Sequence, residues 1–193
     1  MFSHLKNYKI ILASQSPRRQ ELLRALLIDF EVCVIDVEES YPPHLTGIEI
    51  PMFLAEKKAD AYNDIITENT LLITADTIVW HEECVFGKPT DKEDARRMLN
   101  ALSGKTHQVI TGVCLSSKSR RKTFQVVSEV HFTNLQPDEI EFYLNNYQPY
   151  DKAGAYGVQE WIGFIGVEHI EGSYFNVMGL PIQRLYTELK QWT

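Results

Sequence analysis

Residues 12–23 read Leu-Ala-Ser-Gln-Ser-Pro-Arg-Arg-Gln-Glu-Leu-Leu, which puts Arg18 and Arg19 in the opening turn of a predicted helix. A cation there opposes the helix dipole by about 0.3–1 kcal/mol when exposed, so two of them imply a compensating negative group. Ser16 can cap the helix, Pro17 suits its first position, and Leu22, Leu23, Leu26 and Leu27 form the expected buried stripe. Free backbone N–H groups, serine hydroxyls such as that of Ser14, and two guanidinium forks together make a cradle for phosphate. The same pattern also allows arginines that face water or pair with Glu21 or another acid.

Carboxylates and lysines complete the chemistry. Asp76 ends a short apolar strand expected over 71–75, where side chains of open α/β sheets emerge at ligand crevices, although a turn-forming aspartate fits the local sequence equally. Glu38 and Glu39 lie in a Pro- and Gly-bearing loop after another strand, either as solvated acids or as oxygen ligands that join Asp76 on a hard divalent cation. Lys58, on the helix after that loop, and Lys88, in the Gly87-Lys88-Pro89 turn, can neutralise phosphate or simply face solvent. Gly104-Lys105-Thr106 imitates the tail of a P-loop, but Leu99 occupies the place of its first glycine and the segment closes a helix. The six histidines form no i, i+4 pair, which gives histidine metal chemistry no support. Two arginines, two lysines and at least two carboxylates suit metal-assisted phosphoryl chemistry.

These groups must be positioned by an opening β-α-β unit, with strands over 9–13 and 30–37. A helix over 50–66 follows, with Phe53, Leu54, Ala61 and Tyr62 inward. A hairpin is expected over 78–86. Next comes a helix capped by Thr90 with Glu93 and carrying Ala95, Met98, Leu99 and Leu102 on one face. Long strands over 108–116 and 123–132 flank a solvated basic turn, and helices follow from Pro137 and over 181–192, the last with Leu185, Tyr186 and Leu189 inward. Mixed α-β units with long hairpins predict a mixed sheet and a two-lobed shape.

The 193 residues, 44% hydrophobic and 11% aromatic, suffice for one substantial core or two lobes sharing a cleft. No apolar run reaches the roughly 20 residues of a membrane span and the N-terminus lacks a signal-peptide stretch, so a cytoplasmic location is expected, with no membrane partner. Cys33, Cys84 and Cys114 suggest neither a disulfide framework nor a zinc motif. A net charge of −7 argues against nucleic-acid binding and leaves a small, locally held polyanion as the ligand.

The sequence resembles the Maf family of nucleoside triphosphate pyrophosphatases nearly end to end. The resemblance rests on Ser14-Gln15-Ser16-Pro17-Arg18-Arg19, Glu38-Glu39-Ser40, Lys58-Ala59, Ala75-Asp76-Thr77, Gly87-Lys88-Pro89, Leu102-Ser103-Gly104 with His107, and Thr111-Gly112-Val113. It continues through Asp151-Lys152-Ala153-Gly154-Ala155-Tyr156-Gly157 and from Gly172-Ser173 to Gly179-Leu180-Pro181. It implies a single domain over 1–193 with an inosine-triphosphatase-like α/β fold: a mixed twisted sheet flanked by helices, two lobes around a cleft, and frequent homodimers. It further implies hydrolysis of a nucleoside triphosphate substrate to monophosphate and pyrophosphate with a divalent cation, Mg²⁺ or Mn²⁺. Carried over by position, Asp76 is the catalytic acid/base, Glu39 its partner at the metal, and Ser14, Arg19, Lys58 and Lys88 contact phosphate. Arg18, Thr77 and Gln159 match the positions of substrate choice in the branch acting on dTTP and UTP. Two residues depart from the pattern: Gln15 replaces a commonly smaller residue, and Glu160 stands where many members have glycine. The competing readings are a pyrophosphatase for purine or modified nucleotides, and a nucleotide-binding regulator of cell division.

Overall fold

A computed structural model describes residues 2–192 of the chain. After a 3-10 turn over Ser3–Asn7 come β1 (Lys9–Leu12), α1 (Pro17–Arg24), β2 (Glu31–Val32), α2 (Glu49–Asp60), β3 (Thr70–His81), β4 (Cys84–Phe86) and α3 (Lys92–Leu102). The second half holds β5 (Thr106–Ser116), β6 (Arg121–Phe132), α4 (Pro137–Tyr147), α5 (Trp161–Gly166), β7 (Val167–Glu171), α6 (Tyr174–Val177) and α7 (Ile182–Lys190). The strands form one seven-stranded mixed sheet in the order β2-β1-β3-β5-β6-β7, with β4 paired to β3 and helices flanking the sheet. β1 is parallel to β2 and β3, while β3–β4 and β6–β7 are antiparallel. Among the described residues, no helix is long and apolar enough to cross a membrane.

The chain divides into two compact units. The first comprises 1–76, 111–126 and 179–193, and the second 77–110 and 127–178. In the first, Ile11 and Leu72 of neighbouring strands pack with Ala55, Ala59 and Tyr62. Gly112 of β5 belongs here, and an added Cβ would lie 2.3 Å from the Pro51 carbonyl oxygen, so only glycine lets this strand approach the start of α2 so closely. In the second unit Ala95, Met98, Leu99 and Leu102 of α3 join Ile140, Tyr143 and Leu144 of α4 in a core completed by Tyr156 and Ile162.

Several expectations are corrected. The strand expected over 30–37 pairs only at Glu31–Val32. Leu27 is 94% exposed with φ 56°, because α1 stops at Arg24 and the chain turns away from the buried stripe. Phe53 is only half-buried and Ala61 is exposed, since α2 ends at Asp60; Ala55 and Ala59 take the inward places. Asp91, not Thr90, caps α3, its carboxylate accepting from the Asp94 N–H at 2.8 Å. Tyr186 of α7 is half-buried where Leu185 and Leu189 are fully enclosed.

Candidate functional site

β3 does not stop before Asp76, as the apolar run suggested, but runs unbroken to His81. What stops is its neighbour: β1 pairs with β3 only as far as Leu12 opposite Ile73. Beyond that register the chain from β1 leaves for the turn that opens α1, and Asp76 stands on the part of β3 that outruns its parallel partner. The strand end expected beside Asp76 therefore belongs to β1 and not to β3.

Asp76 is 7% exposed, and an acid so enclosed must be paired. Its Oδ1 lies 2.5 Å from Lys58 Nζ, and the same ammonium group donates to Glu39 Oε1 at 2.8 Å. Two carboxylates thus converge on one point. Lys58 is aimed by α2, which the Thr74 hydroxyl of β3 secures by donating to the Ala55 carbonyl at 2.6 Å. Glu39 is delivered by the loop after β2. Lys57 Nζ holds that loop through the Ser40 carbonyl and hydroxyl, both at 2.9 Å. The Tyr62 hydroxyl donates to the Cys33 carbonyl and accepts from the Ile35 N–H, each at 2.8 Å. These loop anchors lay outside the sequence reading; Lys57 and Tyr62 carried only the signal of a helix following an acidic loop.

Burial pushes the Asp76 carboxyl above the ordinary aspartate range, opposed by the positive charges of Lys58 and Arg19 and reinforced by Glu39. A carboxylate held proton-hungry beside cations is the arrangement expected of a general base.

The serine-bearing turn and its helix cap form as expected. The Ser16 hydroxyl caps α1 by accepting from the Arg19 N–H at 3.4 Å, and the buried Ser14 hydroxyl accepts from the Ser16 N–H at 3.2 Å. Arg18 is half-buried in the first helical turn. Arg19 is used differently from a pure phosphate fork. Its Nε donates to the Gly179 carbonyl at 2.7 Å and an Nη to the Ala75 carbonyl at 2.8 Å, so it ties α1 to β3 and to the segment before α7. Burial lowers its pKa, partly offset by Asp76, yet it remains a cation beside that carboxylate.

The first unit therefore gathers Ser14, Arg18, Arg19, Glu39, Lys58 and Asp76. Thr77, Lys88 and Gln159 belong to the second unit: Thr77 half-buried on β3, Lys88 exposed in the turn after β4, and Gln159 half-buried just before α5. Sequence reasoning missed the polar ring beside Gln159. There the Tyr143 hydroxyl donates to the Glu160 carboxylate, and Lys152 Nζ lies 3.0 Å from the other oxygen of the same group.

Among the described residues no three His, Cys, Asp or Glu side chains cluster as a self-sufficient metal site. Glu39 and Asp76 nevertheless fit Mg²⁺ or Mn²⁺. Their oxygens already converge on a single cationic centre, and such ions commonly take one or two carboxylates and complete their shell with substrate phosphates and water.

The sequence of a dTTP/UTP pyrophosphatase from Bacteroides fragilis is 60% identical over 99% of this chain and 100% of its own length. Proteins of the same name from Parabacteroides distasonis (56%, all of both chains) and Porphyromonas gingivalis (51%, all of this chain and 98% of its own) are also similar. Among solved structures, the Ham1 protein of Staphylococcus aureus shares the fold with TM-score 0.50 at 18% identity, covering 93% of this chain and 99% of its own. The Maf-like protein family matches residues 9–192, the stretch that holds the serine-bearing turn, the acidic loop and the buried aspartate, and the chain belongs to that family.

Proposed function

We propose that this chain is a nucleoside triphosphate pyrophosphatase that hydrolyses dTTP and UTP to the monophosphate and pyrophosphate. It would work as one domain on the nucleotide pool of the cytoplasm. The observation that carries the reaction type is the buried Asp76 held against Lys58 together with Glu39. Nucleotide binding alone would need the cations and would be opposed by two extra carboxylates, whereas hydrolysis needs a base and a means of balancing phosphate charge. The names of the relatives at 51–60% identity over essentially full length support the substrate pair.

Asp76 accepts the proton of a water whose oxygen bonds to the α-phosphorus as the bond from that phosphorus to the bridging oxygen breaks, and pyrophosphate departs with the bond electrons. A divalent cation held by Glu39 and Asp76 would neutralise charge on the phosphate oxygens. Lys58 stabilises the negative charge of the Asp76 carboxylate and adds a positive charge for the substrate. Ser14, Arg18, Arg19 and Lys88 contribute to triphosphate binding, with Arg19 also holding its two carbonyls. Arg18, Thr77 and Gln159 set the choice of base. Held in one orientation, the Gln159 carboxamide, with one donor and one acceptor edge, matches the O4 and N3–H edge shared by uracil and thymine and mismatches cytosine.

The test is pyrophosphate release by the purified protein from dTTP, UTP, dCTP, CTP and the purine triphosphates, with Mg²⁺, with Mn²⁺ and with a chelator. Metal-dependent release with preference for dTTP and UTP is expected. Nucleotide binding without release would reject the enzymatic reading, and a purine preference would reject the role of Gln159.

A further inference from the structure

In the second unit the Glu160 side chain does work that a glycine at this position could not do. Its carboxylate is only 19% exposed and accepts from the Tyr143 hydroxyl of α4 through one oxygen. The other oxygen lies 3.0 Å from Lys152 Nζ, whose side chain is 9% exposed and also donates to Asp151 at 2.7 Å. The ring closes through the main chain: the Gly157 N–H donates to the Tyr143 hydroxyl at 3.0 Å, and the Glu160 N–H to the Gly157 carbonyl at 3.0 Å. A side chain at Gly157 would press on this ring. An added Cβ would lie 2.7 Å from the Glu160 carboxylate carbon and 3.0 Å from Gln159 Nε2. Burial and the facing Glu160 carboxylate hold the Tyr143 phenol far above its ordinary pKa, so it stays a donor.

We propose that Glu160 is a positioning residue for base choice: clamped by Tyr143 and Lys152, its carboxylate fixes the 157–159 backbone and thereby the direction of the Gln159 carboxamide. The proposal rests on Gln159 as the base-choosing residue. A carboxamide discriminates donor from acceptor edges only while its orientation is held, because a rotated amide presents the opposite pattern. The polar ring supplies that hold from elements outside the segment itself.

The experiment compares wild type, Glu160→Ala, Glu160→Gln, Tyr143→Phe, Gln159→Ala and Gln159→Ala/Glu160→Ala. For each, kcat and KM toward dTTP and dCTP are measured, and hydrogen exchange is followed in the peptide covering 157–163 without nucleotide. Glu160→Ala and Tyr143→Phe should lower the dTTP-over-dCTP ratio of kcat/KM about tenfold, through KM for dTTP more than through kcat. Both should also speed exchange in that peptide. Glu160→Gln, which keeps an acceptor for Tyr143, should restore the ratio to within about threefold of wild type. The double variant should discriminate no worse than Gln159→Ala, the signature of one residue acting through another. If Gln159→Ala loses selectivity while folded Glu160→Ala and Tyr143→Phe keep it, the positioning role is overturned and the base-choice reading stands. If Gln159→Ala leaves selectivity unchanged, the base-choice reading fails and the proposal with it, whatever the exchange rates show. Should Glu160→Ala not fold, Tyr143→Phe and Glu160→Gln decide by the same measurements.

Discussion

Burial works against charge on Asp76, and Lys58 and Arg19 compensate only in part. Asp76→Asn is expected to lower turnover by at least about 10²-fold with the fold retained, the scale of losing a positioned proton acceptor. Near wild-type hydrolysis by the folded variant would make the aspartate structural. In the metal-free protein its pKa stands above the ordinary aspartate range. The same shift gives stability an unusual sign for an acid. The folded state holds this proton more tightly than the unfolded chain, so the contribution is full below the unfolded pKa and is lost as pH rises through the folded one. Denaturation across that window should therefore slope less in Asp76→Asn than in wild type. Arg19 makes a second residue-level claim. Two charge-assisted bonds to the Ala75 and Gly179 carbonyls mean that Arg19→Ala costs about 2 kcal/mol or more in the nucleotide-free protein, read from thermal or urea melts. A variant as stable as wild type would show that these bonds contribute nothing.

At the scale of elements, α1 shows both what local patterning specifies and where it stops. Leu27 lies beyond the helix in the left-handed region, with its side chain almost wholly in solvent. Leu27→Asn should stabilise the protein by up to about 1 kcal/mol, because asparagine tolerates that conformation and no buried area is lost. A fall in the melting temperature would reject the assignment of strain to this residue. The Ser16 cap, the buried face of α3 and the start of α4 at Pro137 were legible in the sequence because each depends on neighbours within one or two turns. The long strands β5 and β6 were legible from their apolar runs and the polar turn between them. The uses of Arg19 were not, since its carbonyl partners are 56 and 160 residues away. The strand end expected at Asp76 was only partly legible: its own strand continues, and the length of β1 decides where pairing with it ends. Of the candidate residues, the Glu39, Lys58 and Asp76 grouping came from family likeness and chemistry, and only the folded chain shows one ammonium group shared between the two acids.

For the whole molecule, the response to acid is set by groups such as His107, 2% exposed and bonded through Nε2 to the Tyr156 hydroxyl at 2.8 Å. Burial first, then the neighbouring His81 and His131, lowers its pKa from 6.5 to about 3. The unfolded chain binds this proton more readily, so the stabilisation is complete above pH 6.5 and is lost as pH falls towards 3. Urea midpoints should fall over that range in wild type and less steeply in His107→Gln. Equal slopes would assign acid sensitivity to other groups.

The division of the chain into interleaved segments bears on how the protein is made. The second unit has all of its sequence by residue 178, whereas the first, begun at the N-terminus, lacks α7 until 179–193 follows. Leu185 and Leu189, both fully buried, therefore reach their places last. On the ribosome, the half that starts first is expected to finish second, and the half enclosed within it in sequence can settle beforehand. Chains arrested shortly after residue 178 has left the exit tunnel should resist protease within the second unit's segments and be cut within the first's, and protection of both at that length would reject this order.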